Sequence, residues 1–167
     1  VAHWKMDENI GTTAKDTSGN GYDGTLTNGP TWVAGKFGRG VNTNSASRYI
    51  NVAHAGSGDL DFNASDNFTI SAWIKTTDAS GVSREFLYKG FGGSDPGYRF
   101  RLATDDNFVC GIADNAAGTN ETGTSGLPLN DGIWHNVVCV MSSNTVTVYV
   151  DGVMRATESE GTETGSL

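Results

Sequence analysis

Apolar and polar side chains alternate along much of the chain, which is the pattern of β-strands that bury one face. In segment 68–75 the even-numbered positions are apolar, and Trp73 falls on the opposite face. We find no amphipathic helix. The alternation predicts strands at Ala2–Met6, Gly24–Leu26, Phe37–Val41, Tyr49–Val52, Phe68–Lys75, Glu85–Lys89, Tyr98–Leu102, Phe108–Ala113, Trp134–Met141 and Thr145–Val150.

Turn residues separate these segments at short intervals, as at Asp105–Asn107 and Asp151–Gly152. Many short strands in a chain of 167 residues need either two sheets packed face to face or one closed barrel. We therefore expect an all-β sandwich, and the length favours a single domain over residues 1–167.

The charge balance excludes several classes of partner. Eleven Lys and Arg residues stand against nineteen Asp and Glu residues, which gives a formal net charge of −8. Such a chain repels phosphate backbones and anionic lipid surfaces. The sequence also contains no apolar run of the roughly 18 residues that a membrane-spanning helix needs. We expect neither nucleic-acid binding nor membrane insertion.

Several segments resemble the LamG-like jelly-roll domains of the concanavalin A-like lectin/glucanase superfamily. The resemblance implies a two-sheet antiparallel jelly-roll sandwich over the whole chain and an extracellular or cell-surface location. It also implies a secreted module that binds glycans or extracellular proteins, as in lectins and cell adhesion. The similar segments, in order, are Val1–Glu8, Asp16–Leu26, Gly29–Gly38, Phe68–Lys75, Trp134–Val138 and Val148–Val153.

The sequence departs from the family after the Tyr149–Gly152 hairpin. Family members continue into further strands, so we expect a sandwich that lacks the usual last strands. Unpaired N–H and C=O groups at an open sheet edge can accept a strand from another chain. Self-assembly into a surface filament, with the chain as a structural subunit, is therefore the alternative to a binding module.

Four residues are candidates for ligand binding because alternation places them on outer faces: Trp73, Arg99, Arg101 and Tyr149. A flat aromatic ring beside guanidinium groups suits sugar stacking together with carboxylate or sulfate recognition. The alternative is that loops cover the aromatic rings and that acidic residues pair with the arginines. A rim site is a further alternative, built from the loop residues Tyr22, Arg48, Phe91 and Tyr98.

Asp16, Ser18 and Asn20 place side-chain oxygens at alternate positions before Gly21, which is similar to the first half of a calcium-binding loop. The bidentate glutamate of such loops is absent, so an outside ligand would have to complete the set around a structural calcium ion. Asp7, Glu8 or an acid from the missing last strands could supply it. The alternative is an Asx turn in which Asp16 bonds nearby backbone groups.

Cys110 and Cys139 lack the spacing of a zinc site, which leaves a disulfide or two buried thiols.

Catalytic chemistry is not expected. Retaining glycoside hydrolysis needs two carboxyl groups roughly 5 Å apart facing one groove, and no predicted strand carries such a pair. The acidic pairs Asp59/Asp61 and Asp105/Asp106 fall in turns, and Glu158/Glu160 falls in a polar tail. The sequence therefore predicts a non-catalytic extracellular binding or adhesion module.

Overall fold

Burial alternates along the strands of this protein, as in Thr145–Val150, where each valine is buried and each intervening residue is half-buried. The computed structural model describes residues 1–45, 47–53, 58–62, 66–90, 97–113, 119–143 and 145–159, with backbone alone for 113, 119–126 and 159. The strands are β1 Thr13–Ala14, β2 Gly24–Thr27, β3 Thr31–Ala34, β4 Arg39–Asn42, β5 Tyr49–Val52, β6 Phe68–Ile74, β7 Arg84–Lys89, β8 Gly97–Leu102, β9 Asn107–Ala113, β10 Thr119–Pro128, β11 His135–Ser142, β12 Thr145–Val150 and β13 Val153–Ser159.

Contacts divide the chain into two compact units, Val1–Asp61 and Phe62–Leu167. The first unit holds an antiparallel sheet in the order β1-β2-β5 and a separate β3-β4 hairpin. A Cβ atom at Gly24 would lie 2.5 Å from Ile50 Cγ2, so only glycine lets β2 and β5 approach this closely. The single domain over residues 1–167 stays a prediction.

Two strand predictions in the first unit are wrong in detail. The segment Ala2–Met6 forms one isolated bridge, Trp4 with Asp16, instead of a strand. Met6 has a φ of 58°, and this left-handed conformation interrupts an extended chain. Phe37 lies in the turn before β4, where Gly38 also has a positive φ of 65°.

The second unit contains two four-stranded antiparallel sheets, in the orders β10-β9-β8-β7 and β13-β12-β11-β6. Both sheets contribute side chains to one apolar core, including Phe100 and Phe108 from the first sheet and Val137 and Val148 from the second. Each of these four is fully buried, and such burial contributes about 1.5–3 kcal/mol per side chain. The predicted all-β sandwich of antiparallel sheets is confirmed.

Aromatic rings organise this core. The rings of Phe100 and Phe108 meet edge to face at 5.3 Å between centroids, and Phe86 packs against both. Phe62 stacks on Phe68 at 4.4 Å, with Tyr98 tilted against the pair. Within the described ranges, no helix has the length and apolar character needed to cross a membrane.

Candidate functional site

The outer face of the β13-β12-β11-β6 sheet carries two of the predicted binding residues. Trp73 on β6 is 40% exposed and lies opposite Asn136 on β11. Tyr149 on β12 is half-buried and lies opposite Val138, the next residue of β11 on the same face. Strand register therefore puts an indole, a carboxamide and a phenol on one surface.

Apolar side chains join these residues across the sheet. Met154 on β13 is 59% exposed and pairs with Tyr149. Because Tyr149 pairs with Val138, these three side chains form one row across the sheet. We define the Trp73 face by these residues: Trp73, Asn136, Val138, Tyr149 and Met154. The next row carries hydroxyl groups, with Thr147 Oγ1 3.2 Å from Thr157 Oγ1. An aromatic and apolar centre thus adjoins small polar side chains.

Hydrogen bonds fix Asn136 in this surface. Its Nδ2 atom donates to Ser71 Oγ at 3.2 Å and to the Ala72 carbonyl at 3.3 Å. Its backbone N–H donates to Asp151 Oδ1 at 2.9 Å. Two protein acceptors therefore hold the side-chain amide beside Trp73, and a third holds the Asn136 backbone, before any ligand arrives. Such preorganisation lowers the entropic cost of binding.

Arg99 and Arg101 do not lie beside Trp73. They belong to β8, in the other sheet of the second unit, and alternate there with the buried Phe100 and Leu102. Arg99 Nη1 lies 3.2 Å from Glu85 Oε1, and Arg101 Nη1 donates to Ser83 Oγ at 2.9 Å. The four predicted ligand residues therefore divide into two pairs on separate sheets.

Partial burial and the like charge of Arg99 lower the pKa of Arg101. The repulsion between the two neighbouring guanidinium groups is offset by hydrogen bonds from Arg99 to Glu85 and from Arg101 to Ser83. The contact of Arg99 with Glu85 agrees with the alternative in which acidic residues pair with the arginines, whereas Arg101 binds a serine hydroxyl.

Sequence reasoning missed Tyr88, which pairs with Arg99 across β7 and β8 and is 57% exposed. The signal was present in β7, because Leu87 packs against the core and its neighbour Tyr88 must point outward. The alternative rim site stays a prediction. Tyr98 is buried at 6% exposure, and Phe91 lies outside the described residues.

The predicted calcium residues form a loop that satisfies its own acceptors. Asp16 Oδ1 accepts N–H groups of His3 and Ser18, both at 2.9 Å. Its Oδ2 accepts Ser18 Oγ–H at 2.7 Å and the Tyr22 N–H at 3.1 Å. Desolvation raises the pKa of Asp16, but these four donors outweigh it and hold the pKa well below its usual range.

Asn20 and Asp7 have other partners. The Nδ2 atom of Asn20 donates to the Val1 carbonyl at 2.7 Å, and Asp7 Oδ1 accepts the Arg39 N–H at 3.0 Å. An ion at Asp16 would have to displace donors that are already bound. Among the described residues, no group of three or more His, Cys, Asp or Glu side chains is arranged to hold a metal. Calcium binding stays a prediction.

The two cysteines form a disulfide, with Cα atoms 6.2 Å apart. Cys110 lies on β9 and Cys139 on β11, so the bond joins the two sheets of the second unit through their core. Both residues are fully buried.

Comparison with known proteins identifies the fold. The family profile described as the concanavalin A-like lectin/glucanases superfamily matches residues 42–166. The chain belongs to the concanavalin A-like lectin/glucanases superfamily. The LamG-like resemblance found in the sequence is thereby confirmed. No curated protein matches this member of the superfamily.

Two solved structures are similar to this concanavalin A-like chain. The binding domain of Paraclostridial Mosquitocidal Protein 1 is 20% identical, with a TM-score of 0.65 over 93% of this chain and 41% of that chain. An S-layer domain-containing protein from Clostridium thermocellum is 22% identical, with a TM-score of 0.56 over 99% of this chain and 79% of that one. The chain thus spans less than half of the first structure. At these identities, the similarity establishes the fold alone.

Proposed function

We propose that this chain is a non-catalytic module that binds carbohydrate outside the cell, and that the Trp73 face is its binding surface. The observation that carries the proposal is the exposed indole of Trp73, held in register beside the fixed amide of Asn136. An indole offers a flat apolar surface to the C–H face of a sugar ring, while amide and hydroxyl groups suit sugar hydroxyls.

Two of the described carboxylates, Asp16 and Asp131, have the properties of structural acceptors, as expected in a non-catalytic module. A glycosidase needs a carboxylic acid whose pKa is raised, so that it can protonate the leaving group. In this chain, hydrogen bonds outweigh desolvation at Asp16 and lower its pKa. The Ile133 N–H and the His135 ring also outweigh desolvation and lower the pKa of Asp131. These carboxylates serve as acceptors for structural donors.

The similar solved structures support a binding or surface role. One of them is the binding domain of a mosquitocidal protein, and the other comes from an S-layer domain-containing protein. A module on such a surface meets glycans and extracellular proteins, and we propose glycans because the Trp73 face combines an aromatic ring with amide and hydroxyl groups.

The first test is an array of neutral and acidic oligosaccharides, followed by calorimetry on the best ligand with the variants Trp73→Ala and Tyr88→Ala. Both residues are exposed aromatics on outer sheet faces. We expect Trp73→Ala to weaken binding about tenfold or more, a loss of about 1.4 kcal/mol, and Tyr88→Ala to leave the affinity unchanged.

Circular dichroism and thermal melts show whether each variant is folded. An array without any bound glycan would contradict the proposed function. Loss of affinity in Tyr88→Ala but not in Trp73→Ala would move the binding surface to the other sheet.

A second candidate is a structural subunit of an extracellular surface assembly, completed by a strand from a neighbouring chain. The S-layer neighbour favours it, as does the strand order, which puts β6 and β7 at the ends of their sheets. Light scattering at increasing protein concentration separates the candidates, because a binding module remains the same size and a strand-donating subunit grows into polymers.

A further inference from the structure

His135 lies between two carboxylates at one end of the β13-β12-β11-β6 sheet. It is the first residue of β11, and its side chain is only 8% exposed. Its Nδ1 atom is 2.7 Å from Asp151 Oδ2, and its Nε2 atom is 3.2 Å from Asp131 Oδ1. Asp151 follows β12, and Asp131 precedes β11 in the segment 130–134. One imidazole ring therefore connects two separate loops.

This geometry favours a protonated ring. An ionised carboxylate only accepts hydrogen bonds, and a neutral imidazole has only one N–H to donate. Both contacts are hydrogen bonds only when His135 is an imidazolium. After loss of the proton, one nitrogen lone pair would face a carboxylate oxygen, which is repulsive.

The two contacts are unequal. Asp151 is fixed independently of the ring, because its Oδ1 accepts the Asn136 N–H and its own N–H donates to the Asn136 carbonyl, both at 2.9 Å. The contact of the ring with Asp131 is 0.5 Å longer than its contact with Asp151 (3.2 Å against 2.7 Å). A neutral His135 therefore keeps its proton on Nδ1 for Asp151 and loses Asp131.

The segment that Asp131 holds has few other ties. Asp131 Oδ1 also accepts the Ile133 N–H at 3.0 Å, which is a local contact. The Gly132 N–H donates to the Thr76 carbonyl at 2.9 Å, just beyond the strand that carries Trp73. Ile133 is 57% exposed, so little apolar burial restrains it. Within the described residues, loss of the His135 contact leaves the hydrogen bond from Gly132 to Thr76 and the half-buried side chain of Trp134 to hold the segment.

We propose that segment 131–134 is a pH-responsive rim, which protonated His135 ties to the sheet and which loosens when the imidazole loses its proton. The device is independent of the proposed carbohydrate binding, although the rim borders the Trp73 face through Asn136 and Thr76.

The surrounding charges support this device. Desolvation lowers the pKa of His135, but hydrogen bonds with Asp151 and Asp131 outweigh it and raise the pKa above 6.5. Arg155 on β13 acts on Asp151 and favours its ionised form. Stability from the tie is present below pH 6.5, and it is lost as pH rises through the raised pKa of the folded state.

The experiment is NMR on the full chain, from about pH 5 to about pH 9, the range in which histidine titrates. The His135 ring carbon reports protonation, and the heteronuclear NOE of the Gly132 and Ile133 amides reports order. We expect His135 to titrate above pH 6.5, and the NOE of both amides to fall with the same midpoint.

Two variants complete the test. Asp131→Asn should lower the His135 midpoint and give low NOE values for the rim at every pH. Asp105→Asn is the matched control, since Asp105 is a turn carboxylate that binds Asn107, and it should leave the transition unchanged. Constant NOE values through the His135 titration, or a midpoint at or below 6.5, would overturn the proposal.

Discussion

The Asp16 carboxylate connects separate parts of the first unit because each of its oxygens accepts two donors. One donor comes from His3 in the first segment of the chain, and the others come from Ser18 and Tyr22. The sequence left two interpretations of this residue, an Asx turn and a calcium ligand. The donor from Ser18 is the Asx turn, and the longer-range donors arise from the fold, which local sequence does not specify.

The variant Asp16→Asn tests this role. An amide oxygen can replace only one carboxylate oxygen, and the new NH2 group would face donors, so we expect a lower melting temperature. Differential scanning calorimetry checks the shift, with exposed Asp59→Asn as the control. Equal melting temperatures for Asp16→Asn and the parent would contradict the role. Calcium bound at this loop would raise the melting temperature of the parent and not of Asp16→Asn.

The alternation of apolar and polar side chains along the sequence places most strands of the second unit. The bounds of β12 agree with the prediction, and those of β6, β8 and β9 differ by one residue. The sequence did not predict β1, β3, β10 or β13. The β10 segment is polar and glycine-rich without alternation, so its pairing with β9 supplies the order that its own sequence does not.

The Tyr149–Gly152 hairpin is a sequence signal for β13, although Glu158 at the end of this strand falls in what the sequence predicts to be a polar tail. Asp151 and Gly152 have φ angles of 51° and 78°, and Asp-Gly at such angles is typical of a type I′ hairpin turn.

Strand pairing explains why the four predicted ligand residues divide between two sheets. Alternation correctly put Trp73 and Tyr149 on outer faces, but it contains no information on which sheet a strand joins, and Arg99 and Arg101 joined the other one.

The disulfide stabilises the second unit by restricting the unfolded chain. Replacement of both Cys110 and Cys139 by alanine should lower the free energy of unfolding by about 3.5 kcal/mol, because the bond closes a 29-residue separation in the unfolded chain. Chemical denaturation checks the value, and reduction of the parent protein should give a similar loss. Unchanged stability in both experiments would show that the cross-link is not formed.

The whole molecule carries a formal charge of −8. The contacts of its ionisable side chains make the folded protein most stable at mildly acidic pH. Donors lower the pKa of Asp16 and of Asp131, as described above. At Asp78, the Arg84 guanidinium outweighs desolvation and lowers the pKa. The three lowered pKa values stabilise the folded protein above pH 3.8, and this stabilisation is lost as pH falls through the pKa values of the folded state. His135 contributes in the opposite direction.

The melting temperature should therefore be highest between pH 3.8 and pH 6.5, the ordinary pKa values of Asp and His. Above this range the His135 contribution is lost and negative charges repel one another. Calorimetry in a series of buffers checks the profile, and His135→Gln should flatten its alkaline side. A melting temperature that rises steadily from pH 5.5 to pH 8 would contradict it.

The bond between β9 and β11 also sets how far the chain can be stretched. When a protein is pulled from its two ends, each unfolded residue adds its length to the tether, but residues inside a closed covalent loop add nothing. The 29-residue separation between Cys110 and Cys139 removes about 100 Å of such extension. Under tension, β9 and β11 stay joined at Cys110 and Cys139, and segment 110–139 adds length only after the disulfide is reduced.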